Sequence, residues 1–171
     1  MGDEGEPIFQ IRSENIDSGL RGVPVGTCQT SFVDPFEGVH YVGYPVEDLV
    51  DLEEEDVIYL LFNKRLPTEE ESEAFRAELA HRAENMPTGA LRVLESLTPG
   101  YGHPMDWLSI GILALGASDT TGDLRTDAMN LVARMPELMA RIFLLRGGNM
   151  QETRDSRPQL GLVENFTHML G

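Results

Sequence analysis

Residues 100–116 read GYGHPMDWLSIGILALG, and how this stretch is read decides the fold. Gly100, Gly102 and Pro104 punctuate its front, and an apolar run from Trp107 to Leu115 follows. Proline is tolerated in the first turn of a helix, where its missing N–H would have no partner anyway. Asp106 stands where a carboxylate meets the positive end of the helix dipole. The stretch therefore predicts a helix from about Pro104, apolar almost all round and so buried on several sides. His103 and Asp106 also form a potential catalytic pair. No charged group at suitable spacing supports that chemistry, and the preferred reading is structural: His103 begins the helix and orients the loop before it.

Working outward, the sequence stays helical in most directions. Downstream, TDAMNLVARMPELMARIFLLRGG (126–148) reads as a long helix ended by Gly147-Gly148. Pro136 lies inside it, removes one backbone donor and predicts a kink or break. NMQETRDSRPQ (149–159) is a polar loop, and LGLVENFTHMLG (160–171) a last amphipathic segment. Upstream, PTGALRVLESL (87–97) is a short amphipathic helix. LPTEEESEAFRAELAHRAEN (66–85) carries Thr68 and Glu71 at capping-box spacing, with Phe75 and Leu79 on one face. EEEDVIYLLF (53–62) begins with acids in its first turn, and PVEDLVDL (45–52) starts at Pro45, a helix-start residue. Before these, TCQTSFVDPFEGVHYVGY (27–44) has two β-favouring runs around Asp34-Pro35-Phe36-Glu37-Gly38, a hairpin signature. The first seven residues are polar and expected to be disordered. The class is mainly α with a small N-terminal β-hairpin.

The chain has 171 residues, one domain's length, with 41% hydrophobic and 25% charged residues. Its formal charge of −16 would be repelled by nucleic acid and by an anionic membrane, so neither is an expected partner. The acidity suits a saline cytoplasm or plain solubility. Cys28 is the single cysteine, which rules out an internal disulfide and a cysteine-based metal site. MGDEGEP (1–7) is too acidic for a targeting leader, and the apolar run within 107–117 is about half a bilayer span. A cytoplasmic protein is expected.

The sequence contains no phosphate loop after Gly19, Gly22 and Gly26, and neither HExxH nor GxSxG. His40, His81, His103 and His168 never fall three or four residues apart, so no helix presents a metal-binding pair. His81 is expected to be exposed, His40 structural, and His168 to sit near a helix C-terminus that favours a cation. The acidic run Asp51–Asp56 reads as a solvated helix start. No catalytic, cofactor-binding or metal-ligating residue is assigned to this chain.

Read in order, GLRGVPVGTCQTSFVD (19–34), VHYVGYPVEDL (39–49), VIYLLFNKRLPTEEESEAF (57–75), HPMDWLSIGILALG (103–116) and VENFTHMLG (163–171) resemble the citrate synthase family. The resemblance covers nearly everything from residue 19, leaving 1–18 as a polar tail and 19–171 as a large-domain segment. Val42 stands where the family usually has arginine, so a donor that would brace the hairpin is missing. The resemblance implies a Claisen-type condensation of acetyl-CoA, or another acyl-CoA, with oxaloacetate or a related 2-oxo acid. That chemistry needs a carboxylate base and neutral donors at the developing enolate and at the ketone. In the family an aspartate and two histidines fill these roles and arginines hold the 2-oxo acid, all in a second half that this chain does not match. None of the four histidines corresponds to a catalytic one.

The resemblance therefore implies one subunit of a divided acyltransferase, completed by a partner polypeptide with the catalytic half. Acetyl-CoA would be a substrate of the assembly, and no cofactor is expected. The alternative is a non-catalytic regulatory or assembly protein that binds a full-length citrate synthase. In both, the 103–116 helix, Ile110 included, would form a homo- or hetero-oligomer interface.

Overall fold

A computed structural model describes residues 10–16, 21, 23, 26–149 and 154–171. The expected disordered start, residues 1–7, lies outside the described residues. The chain divides into two units, Met1–Asp48 and Leu49–Gly171.

In the first unit, α1 (Ser13–Ile16) precedes a three-stranded antiparallel sheet of β1 (Ser31–Asp34), β2 (Gly38–Tyr41) and β3 (Tyr44–Pro45) in that order. Phe32 pairs with His40, and Tyr41 with Tyr44. The first turn forms because Asp34 Oδ1 accepts from the N–H groups of Phe36 (2.7 Å) and Glu37 (2.9 Å), fixing the chain reversal locally. The hairpin is thus where the sequence placed it, but it differs in two ways. The strands begin at Ser31, not near Thr27, and a third short strand follows. Pro45 ends that strand, where a residue lacking an N–H fits, and stands directly before the helical turn it was expected to open. α2 (Val46–Leu49) is then a single turn.

The second unit is helical: α3 (Glu54–Asn63), α4 (Glu69–Ala83), α5 (Thr88–Glu95), α6 (Pro104–Ser118), α7 (Leu124–Gly147) and α8 (Leu162–Leu170), with a 3-10 turn at Pro158–Leu160. α4 starts as its sequence dictates. Thr68 Oγ1 accepts from the Glu71 N–H (3.3 Å), while Glu71 Oε2 accepts from the Thr68 N–H (2.9 Å). The Arg65 guanidinium forks onto the same carboxylate, and with the Thr68 N–H it holds the Glu71 pKa down at about 2.

α7 is the axis of this unit. It packs against α4, α5, α6 and α8, and it passes Pro136 without a break. Burial explains that continuity: Pro136 and its neighbours Ala133, Leu138 and Ala140 are all enclosed. Packing on both sides outweighs roughly 3 kcal/mol of intrinsic proline cost. One core cluster joins α5, α6 and α7 through Leu94, Trp107, Leu115, Leu138 and Ile142. A second joins α4 and α7 through Phe75, Leu79, Met129 and Ala133.

Candidate functional site

His103 stands immediately before α6, in extended backbone. Its Nδ1 accepts from the Met105 N–H (3.2 Å), and Asp106 Oδ2 accepts from the His103 N–H (3.0 Å). The pair in GHPMD is thus a reciprocal cap that satisfies two helix-start donors, with imidazole and carboxylate each turned to backbone. Trp107 Nε1 donates to the Tyr101 carbonyl (2.9 Å), and Arg146 of α7 donates to the Gly102 carbonyl (2.7 Å). Together these bonds fix the loop that His103 was expected to orient.

The remaining single-residue candidates stand apart. His81 is exposed on α4 beside Glu84 (3.6 Å), and His168 is half-buried in the last turn of α8. His40 lies in β2, its ring 6.2 Å from that of Phe32. Cys28 is exposed, with its sulfur near the Thr30 and Ser31 hydroxyls (3.4 and 3.5 Å), and those hydrogen bonds lower its pKa to about 6.

One residue departs from its expected place. Glu55, inside the acidic run read as solvated, is buried, and its Oε1 accepts the Leu162 N–H at the start of α8 (2.8 Å). Gly161, at φ +87°, passes so close that a Cβ there would lie 3.1 Å from the same oxygen. Asn165, also buried, accepts from the Arg157 N–H (2.7 Å) and donates to Ser156 Oγ (3.0 Å). Glu55 pins the start of α8 to α3, and Asn165 ties α8 to the loop before it at Ser156 and Arg157. The Glu55 bond spans 107 residues, so no local pattern could have announced it. Glu53, Glu54 and Glu55 carry carboxylate oxygens within 4.8 Å of one another, beside a cleft of about 520 Å3.

α6 corrects the expectation of burial on several sides. Only Trp107, Gly111 and Leu115, four residues apart, are buried. Leu113 is 72% exposed and Met105 57%. The chain supplies cover for one face of α6 alone, through α5 and α7. Exposed Met105 and Phe143, with half-buried Leu108 and Met139, line an apolar cleft of about 270 Å3 between α6 and α7. Ile110, expected on the open face, packs against the α5–α6–α7 core instead, and Leu113 takes its place there.

This helical order, with a capped apolar α6 laid on a long α7, can be set against known proteins. A family model described as "Citrate synthase, C-terminal domain" matches residues 19–171. The chain belongs to the citrate synthase family. The citrate synthase of Haloferax volcanii is 35% identical over 170 residues, covering 92% of this chain and 44% of that protein. The crystal structure of citrate synthase from Thermotoga maritima superposes with a TM-score of 0.74 at 29% identity, over 90% of this chain and 41% of that one. The corresponding structure from Pyrobaculum aerophilum gives 0.75 at 28% identity, over 90% and 41%. The chain thus spans less than half the length of the family members it matches. The fold expected from the resemblance is present: mainly helical, with a small antiparallel sheet. Among the described residues, no helix is long and apolar enough to cross a membrane.

Proposed function

We propose that this chain is one subunit of a divided citrate synthase-type acyltransferase, supplying the first part of the large domain and its assembly helices. A partner polypeptide would contribute the catalytic aspartate and histidines and the arginines that hold the 2-oxo acid. The assembled enzyme would condense acetyl-CoA, or another acyl-CoA, with oxaloacetate or a related 2-oxo acid. The observation that carries this reading is the uncovered face of α6. In a chain spanning under half of its relatives, Met105 is exposed at an apolar cleft and Leu113 is exposed further along α6. Apolar side chains left open in this way are the kind of surface that an interface would cover.

In this reading the same surface would form a homo- or hetero-oligomer contact. Met105 and Leu113 would supply apolar contact, while Ser109, Gly116 and Ala117, also exposed, would let another helix approach closely. With a chain charge of −16, the favoured complement is less acidic or basic, and association should slow as salt rises. An association rate indifferent to ionic strength would count against charge selection.

The test is co-expression with a chain carrying the family's catalytic half, reading CoA release from acetyl-CoA and oxaloacetate. Activity found only in the mixture supports the divided enzyme. Full activity from the second chain alone refutes it and leaves the regulatory reading, in which this chain occupies the surface of a complete synthase.

A further inference from the structure

α4 and α7 enclose a polar cleft of about 290 Å3, lined by Glu78, His81, Arg82, Asn85, Asn130 and Arg134. Arg134 is the unusual member. It is only 7% exposed, and Asp119 pairs with its Nη1, yet its buried Nε has no acceptor. A buried donor left unpaired carries a desolvation cost, and such groups in folded proteins call for an explanation, an absent ion among them. Arg76 and Arg146 also leave a buried Nε unpaired, but both side chains are partly exposed. Arg134 alone of the three is a buried residue.

Its surroundings are arranged as donors. Arg82 spends Nε and Nη2 on Glu78 (3.1 and 2.6 Å) and donates from Nη1 to Asn130 Oδ1 (2.6 Å). That bond fixes the carboxamide of Asn130 with its oxygen engaged and its NH2 left to donate. Asn85 donates weakly to the His81 carbonyl (3.4 Å), a bond it can exchange for a better acceptor. Glu78 answers Arg82 and Asp119 answers Arg134 Nη1, so the charges balance and the donors left over are Arg134 Nε and the Asn130 amide.

From this cluster we infer that the α4–α7 cleft binds a small oxyanion, phosphate or carboxylate, through Arg134 Nε, the Asn130 amide and Arg82. Planar guanidinium forks with adjacent amide donors suit oxygen anions of either kind, because each bond is charge-assisted. The site is built within this chain and does not rest on the divided-enzyme reading.

The experiment uses the full chain, or its assembled complex, titrated separately with inorganic phosphate and with malonate against potassium chloride of matched ionic strength. Binding is followed by the arginine Nε–H resonances and by thermal unfolding. Binding to the folded form raises the midpoint with the logarithm of ligand concentration. The expected result is a shift of the Arg134 and Arg82 Nε signals with one or both anions, beyond any chloride effect. Asn130→Asp keeps the acceptor for Arg82 but sets a carboxylate against the ligand, and should weaken binding at least tenfold. His81→Glu, at an exposed rim position, should weaken it in the same direction and serves if the first variant does not fold. Responses equal to those in chloride, or unchanged in the folded variants, would overturn the site.

Discussion

Val42 occupies the first central position of the β2–β3 turn at φ +52°, followed by Gly43 at +87°. Two positive φ values in a two-residue turn are the mark of type I′, which asparagine-glycine fills best. A β-branched residue in the left-handed region is strained by its own Cβ, at roughly 1–2 kcal/mol. The departure noticed at this position therefore has a backbone meaning beyond the absent arginine donor. Val42→Asn should stabilise the hairpin by about 1 kcal/mol, seen as slower amide exchange at Tyr41 and Tyr44. Unchanged protection would refute the strain argument. His103 gives the opposite case, a residue whose side chain earns its place through one backbone bond. His103→Ala should cost about 1 kcal/mol of stability in thermal unfolding, and His103→Asn should restore most of it. In a reconstituted enzyme His103→Ala should leave turnover nearly intact; a thousandfold loss with assembly preserved would return His103 to the catalytic candidates.

Between elements, the crossing of α6 and α7 depends on the absence of a side chain. A Cβ at Gly111 would sit 2.8 Å from Leu138 Cδ1, and Leu138 is completely buried. Leu138 has no free space to yield, so Gly111→Ala should be net destabilising, by about 1–2 kcal/mol in denaturant unfolding. Overpacking of about 1–3 kcal/mol outweighs roughly 1 kcal/mol gained in helix propensity. A neutral or stabilising outcome would show that the crossing can spread. The loop joining the same two helices is organised by Asp127. Its carboxylate accepts from Thr121 Oγ1 (2.7 Å) and N–H (2.8 Å), Thr120 Oγ1 (2.8 Å) and the Gly122 N–H (3.3 Å). These bonds favour the charged form, the Thr121 hydroxyl most, and lower the pKa to about 2. A depressed carboxyl pKa stabilises the fold above the unfolded value near pH 4, and that contribution is lost as pH falls toward 2. The stability difference between the natural chain and Asp127→Asn should therefore hold at pH 6 and shrink between pH 4 and 2. A gap constant across that range would assign the bonds no electrostatic weight.

For the whole molecule, the open face of α6 is where assembly can be tested apart from folding. Leu113 is exposed and outside the α5–α6–α7 core, whereas Ile110 packs against it. Leu113→Asp should leave the chain's own unfolding midpoint almost unchanged and abolish its assembly in sedimentation; intact assembly would move the interface elsewhere. The sequence by itself determined the elements. The capping box at Thr68-Glu71, the Asp34 turn and the Pro104-Asp106 helix start are all written in residues within four positions of one another. Local hydrogen bonds need no distant partner, so they were legible, and the ordered motifs gave the family. Where distant contacts compete with local rules, reading the chain fell short. Pro136 signalled a kink or break, and burial excludes the break; Glu55 looked solvated yet caps α8 across 107 residues, and α6 looked buried on several sides. An apolar helix reports only that its surface is costly to leave in water. Which faces are covered depends on how many neighbours the chain supplies, and here only the tertiary structure decided that it supplies them for one face.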